Sequence, residues 1–221
     1  MPLGAIPREP WDLRDRAVAL YGRFSPGVRE HLVVQIVRAG GHVARDLTRG
    51  SHLLVVGALA TTLIDSGALS ARLRSAAERG VPVKGERAFT AGLSAEAPQA
   101  APTLPLSTAL AQVPLTRDHA DVLAAFDLIA VEDGACRFGD AATLRTAGEL
   151  MDRGRSLADA VRILTRARDL APLGRHKIIL TSSGEAALQW QDGLTTLEGQ
   201  GYFALDEDHA TIDDLFEGAA L

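Results

Sequence analysis

Residues 51–57 read Ser-His-Leu-Leu-Val-Val-Gly, SHLLVVG. Leu53–Val56 (LLVV) is too short for a helix of its own and is closed by Gly57, so it reads as a buried strand. Consecutive apolar side chains point to opposite faces of a strand, and both faces must then be covered, as in a parallel sheet packed between helices. Upstream, Ala17–Tyr21 (AVALY) is a second apolar run of strand length. Between the two, Ser25-Pro26 offers an N-cap and a first helical residue, Leu32, Val33, Ile36 and Val37 recur on one helical face, and Gly40-Gly41 stops the helix. Downstream, Leu69, Leu73, Ala76 and Ala77 line another helix ended by Gly80, and Val81-Pro82-Val83 is a further short strand. Strand, helix, strand, helix, strand predicts a small α/β unit, a parallel sheet with helices on its faces.

The chain has 221 residues, of which 47% are hydrophobic, enough for one large domain or two small ones. No apolar run approaches the roughly eighteen residues of a membrane span, and Met1–Trp11 has neither a basic start nor an apolar centre for export. The expectation is a cytoplasmic protein with no membrane contact. Cys136 is the only cysteine, which excludes an internal disulfide and a thiolate metal cluster. The net charge of −5 is unevenly spread: residues 12–92 carry 12 basic against 7 acidic side chains, and residues 176–221 carry 1 against 9. The clearest break is residues 94–114, where Pro98, Pro102, Pro105 and Pro114 forbid a continuous helix. The expected division is therefore a sheet unit at 12–93, a linker at 94–106, a second unit at 107–175 and a small β segment with an acidic tail at 176–221.

Residues 16–93 resemble a BRCT domain of the kind found in bacterial DNA ligases. The resemblance rests on AVALYGRFS, on the Gly40-Gly41 pair, on SHLLVVG, and on RSAAERGVPVKGERAF at Arg74–Phe89. It implies a module that docks a partner, dimerises or grips a DNA end. Family members that capture phosphopeptides place Ser or Thr before the Gly that follows the first strand, and Lys at the start of the second helix. Here Tyr21 precedes Gly22 and Leu69 stands at the Lys position, which leaves Arg72 and Arg74, one turn on, as the residues able to meet an acidic partner.

In residues 107–168, Ser156 with Asp159 is a capping signature ahead of Leu157, Ala160, Val161 and Leu164 at one-face spacing. Leu144, Ala147, Leu150 and Met151 line another helix, and Asp152–Arg155 is the turn between. Between Ile129 and Phe138, Asp133-Gly134 is a favoured hairpin dipeptide. This arrangement resembles the MerR-type winged helix-turn-helix, an all-α domain with a small β wing. The resemblance implies binding of double-stranded DNA as a homodimer, through a recognition helix at Asp118–Phe126 and the wing. Arg137 falls at the wing arginine, and Arg117 and Arg145 are further phosphate contacts. The family's recognition-helix Arg-Tyr pair falls here on Asp121-Val122, and Asp127 stands where Gly is usual.

In the tail, Lys177–Thr181, Ala186–Trp190 and Tyr202–Leu205 predict a small hairpin or three-stranded meander with Trp190, Tyr202 and Phe203 on its apolar face. Residues 206–221 read as the start of an amphipathic helix. The run WQDGLTTLEGQ before this acidic end is similar to proteins in which a MerR-like domain precedes tetratricopeptide repeats. No catalytic constellation emerges. The six histidines lack metal-ligand spacing, there is no phosphate-binding Gly loop, and Ser182-Ser183-Gly184 lacks the flanks of a nucleophile elbow. No catalytic residue, metal or cofactor is expected. Three readings remain: a DNA-associated regulator or maintenance accessory, a protein-interaction adaptor whose winged helix no longer binds DNA, and, as a minor one, an inhibitor of a DNA-binding partner whose acidic tail mimics nucleic acid.

Overall fold

The computed structural model describes residues 13–93, 103–173, 176–180, 185–190, 193–197 and 201–203. Its first sheet contains β1 (Ala17–Tyr21), β2 (His42–Ala44), β3 (Ser51–Val56) and β4 (Val83–Gly85), all parallel, in the order β2-β1-β3-β4. β3 is central, and its side chains divide as a doubly covered strand requires. Leu53 and Val55 point with Val18 toward Leu32 and Ile36 of α1 (Val28–Arg38) and Phe89 of α4 (Glu86–Leu93). Leu54 and Val56 point with Ala19 toward the one-turn α2 (Thr62–Asp65) and α3 (Ala68–Glu78), which contribute Ile64, Leu69, Leu73 and Ala76. Each such buried Leu or Val stabilises the fold by roughly 1.5–3 kcal/mol of transfer free energy.

Three local expectations shift. α1 begins at Val28 and not at Pro26, because Ser25–Gly27 forms a turn in which the Val28 N–H donates to the Ser25 carbonyl (3.0 Å) and Gly27 adopts a left-handed φ of 74°. β4 begins at Val83 and not at Val81: Pro82 has no N–H to offer, and only its carbonyl joins the sheet, accepting from Leu54 N–H at 3.0 Å. On α1 the four apolar residues split, with Leu32 and Ile36 fully buried while Val33 and Val37 face solvent.

The second unit comprises β5 (Thr103–Pro105), α5 (Leu106–Leu110), α6 (Arg117–Ala125), β6 (Val131–Glu132), β7 (Ala135–Arg137), α7 (Asp140–Asp152) and α8 (Leu157–Leu170). The end of the segment expected to be linker is ordered: Thr103–Pro105 pairs antiparallel with β7, completing a three-stranded sheet β5-β7-β6, and Leu106 is buried. Pro105 fits there because β5 is an edge strand. The Ser156 hydroxyl caps α8 by accepting from Asp159 N–H (3.1 Å). α6 has a reciprocal cap that sequence reading did not anticipate, between Thr116 and His119.

The tail is a four-stranded antiparallel meander, β11-β10-β9-β8, made of β8 (Lys177–Leu180), β9 (Ala186–Trp190), β10 (Gly193–Thr196) and β11 (Gly201–Phe203). β10 is the strand missing from the expectation; GLTT carries a single large apolar residue, Leu194, and reads as turn. Of the expected apolar face, Trp190 is 39% exposed and sits against His176 (ring centroids 3.9 Å apart), and the side chains of Tyr202 and Phe203 lie outside the described residues; Ile178, Ala186 and Leu188 join the main core, while Ile179, Ala187 and Leu194 form a second buried cluster. The helix expected at 206–221 lies outside the described residues.

The sheet unit and the helical unit share one apolar core. α3 is packed by the sheet on one side and by α6 on the other, α6 also meets β4, and α8 meets α2. The cluster runs without a break from Ala19 and Leu54 through Leu69 and Leu73 to Leu123, Leu144, Val161 and Leu164, and on to Ile178 and Leu188.

Candidate nucleic-acid interface

The β6–β7 hairpin turns at Asp133 and Gly134, whose φ values of 51° and 76° are both left-handed, the geometry that an Asp-Gly dipeptide supplies at least cost. Its base is held by Asp140, whose carboxylate accepts from Ala130 N–H (2.9 Å) and Arg137 N–H (3.1 Å). Burial raises the Asp140 pKa above the usual carboxylate value, against the lowering effect of these two donors. Cys136 points inward and is buried; the same burial, with the Asp140 charge beside it, pushes its thiol pKa up, the opposite of what a reactive thiolate needs. Arg137 is exposed, and Phe138 next to it is the most exposed large apolar side chain among the described residues, at 71%.

The other two cations sit differently. Arg145 is exposed on α7. Arg117 is exposed at the first position of α6, where its Nε donates to Asp121 Oδ1 at 2.8 Å across one helical turn. That pair neutralises the charge locally, and an exposed i,i+4 pair contributes about 0.3–0.5 kcal/mol.

The helix expected to enter the groove is α6, and it is covered. Ala120, Val122, Leu123 and Ala125 are all buried, on an arc wider than a half-turn, because α6 lies between its own unit and the sheet unit. Val122 is 0% exposed where the resemblance calls for a phosphate-contacting aromatic. The first turn, Arg117, Asp118 and His119, remains at least partly accessible, and beyond it only Asp121 and Ala124 do.

Sequence reading missed the residue that locks this arrangement. Asp127 follows α6 with a left-handed φ of 57°, the conformation for which Gly is the easy choice. Its carboxylate reaches the start of α4, accepting from Arg87 N–H (2.8 Å) and from Ala88 N–H. It therefore caps a helix of the other unit. Gly85 makes room for it, since a Cβ there would collide with the Asp127 carboxylate. Burial raises the Asp127 pKa despite those donors and the nearby Arg168 and Arg87. Arg168 of α8 closes the assembly by donating to the carbonyls of Phe126 (2.8 Å) and Asp127 (3.2 Å), and the ion pairs Arg87–Asp169 (2.6 Å) and Lys84–Glu132 (3.2 Å) flank it. The only sequence signal was the Asp in a Gly position.

On the sheet unit, Arg72 and Arg74 are not brought together, since residues two apart do not share a helix face. Arg72 lies over the Tyr21 ring, 4.6 Å from its centroid, and pairs with Asp46, while Arg74 is exposed. Tyr21 Oη in turn donates to the Ala68 carbonyl at 3.4 Å. At the carboxyl ends of β1 and β3, the buried carboxylate of Glu86 accepts from Ser25 N–H (3.2 Å) and Ala58 N–H (2.8 Å). Backbone donors that could have received an outside anion there are already satisfied from within.

Among the described residues no group of three His, Cys, Asp or Glu side chains converges as a metal site would require, and no helix is long and apolar enough to cross a membrane. Compared with protein-family models, curated proteins and solved structures, the chain matches none.

Proposed function

We propose that this chain is a non-enzymatic interaction adaptor, in which a BRCT-like sheet unit and a MerR-like winged-helix unit are fused into one rigid body whose outer surfaces dock other macromolecules. The parallel order β2-β1-β3-β4 with helices on both faces supports the first assignment. The α5, α6, hairpin, α7, α8 succession supports the second. The observation that carries the functional reading is the burial of α6 against α3 and β4. A recognition helix must present side chains to base edges, and this one has spent that face on packing. Glu86 and the engaged Arg72 argue in the same way against phosphopeptide capture, which leaves docking by shape and apolar contact.

A second reading is favoured by the exposure of Arg137 and Arg145: contact with duplex phosphates through the hairpin and α7 alone. Titration of fluorescent duplex DNA with the intact protein at low salt separates the two. The adaptor reading expects no saturable binding at about 50 mM salt, conditions under which even a few phosphate contacts are retained. Binding that weakens steeply with salt and falls in Arg137→Ala would replace it with the DNA reading.

A further inference from the structure

The two helix layers of the sheet unit have different fates. The outer side of α3 is covered by α6, whereas α1, on the opposite face of the sheet, turns Val33 (37% exposed), Val34 (47%) and Val37 (59%) outward. These are three of the seven large apolar residues exposed among the described residues, and they share one strip of one helix. Strand propensity and core packing do not account for them, since Leu32 and Ile36 already fill the face toward the sheet.

The strip is bounded by charges placed in a particular way. Glu30 lies four residues before Val34 and Arg38 four residues after it, both exposed, and neither is paired with another described residue. At 1.5 Å of rise per residue they stand at about equal distances, ~6 Å, on either side of Val34. An antiparallel copy of the same helix, related by a two-fold axis through Val34, brings each Glu30 level with the other copy's Arg38. Val34 then meets Val34, with Val33 and Val37 flanking. The surface is complementary to itself, as an isologous contact requires. A parallel or heterologous arrangement puts like charges level or leaves both unpaired.

We propose that α1 is a homodimerisation face, through which a second copy of this chain packs antiparallel with Val34 at the axis and Glu30–Arg38 pairs at both ends. This deepens the docking role proposed for the sheet unit and rests on it. An 11-residue helix offers less than the ~800 Å² per partner of a standard interface, so the pairing is reversible and weak.

Sedimentation equilibrium of the full chain from about 1 to about 200 µM tests this. A concentration-dependent monomer–dimer equilibrium is expected. Val34→Glu should leave only monomer throughout the range, and Glu30→Arg or Arg38→Glu alone should raise Kd at least about tenfold. The double exchange Glu30→Arg with Arg38→Glu should restore it, which a nonspecific apolar contact would not do. All three positions are solvent-facing, and unchanged circular dichroism and melting confirm that the variants fold. A chain that stays monomeric at every concentration, a dimer indifferent to Val34→Glu, or charge reversals without rescue would each overturn the proposal. The measurement reads mass and not DNA, so it and the duplex titration can fail independently.

Discussion

Asp127 acts in three ways from one position: it turns the chain after α6 with a left-handed backbone, caps α4 across the boundary between the two units, and occupies the space that Gly85 leaves. Replacing it by Ala removes the cap and puts a Cβ in the disfavoured conformation without compensation, so Asp127→Ala should destabilise the fold by about 2–3 kcal/mol in chemical denaturation. Asp127→Asn keeps an acceptor and tolerates the backbone, and its effect should depend on pH. Because burial raises the folded-state pKa of Asp127 above its unfolded value, folding favours the protonated form. The stability this confers is full below the usual carboxylate pKa and is lost as pH rises through the raised one. The melting temperature of Asp127→Asn relative to the parent should therefore become more favourable over that rise, and a flat difference from pH 4 to 7 would refute the assignment. Cys136 gives a second check at this scale: buried with its pKa raised, it should react with a thiol reagent at least about a hundredfold more slowly in the native protein than in denaturant. The inertness of this cysteine was partly legible, because no Lys or His neighbours it in sequence. The role of Asp127 was not, because its partner is 40 residues away and appears only once the two units touch.

At the level of elements, apolar runs and turn residues placed most of the strands and helices, but not which way the helices faced. LLVV was readable because a strand covered on both sides needs no choice of face. The α1 pattern left a choice open: Leu32, Val33, Ile36 and Val37 form one broad apolar arc, and only the sheet selects Leu32 and Ile36 from it. α6 illustrates the converse, since Ala120, Val122, Leu123 and Ala125 are buried on more than one side, which a single-face template cannot express. The expected phosphate contact at Arg117 also met a nearer partner in Asp121, one turn away. The hairpin depends on a single carboxylate at its base. Asp140→Ala leaves two backbone N–H groups without their acceptor and should cost about 1–3 kcal/mol. Amide exchange at Ala130 and Arg137 should accelerate well before that of α7 or α8, and uniform acceleration across the chain would show that Asp140 has no local role.

For the whole molecule, the decisive fact is that α3 belongs to two layers at once, facing the sheet with one side and α6 with the other. Two units joined this way lose their cores together, so heat or denaturant should unfold the chain in one transition, with calorimetric and van't Hoff enthalpies in agreement. Two resolved transitions would mean that the shared cluster contributes little. The ion pairs that cross the boundary among the described residues, Arg87–Asp169, Lys84–Glu132 and Arg162–Asp65, are partly exposed and should add little, so about 1 M salt should leave the midpoint nearly unchanged. Continuity of the core also decides what covalent connection is for in this protein. If a protease site is introduced between residues 93 and 103 and the chain is cut there, the two fragments should still elute together from a sizing column in native buffer and part only in denaturant. Side-chain burial, and not the peptide link, is what keeps the halves in company.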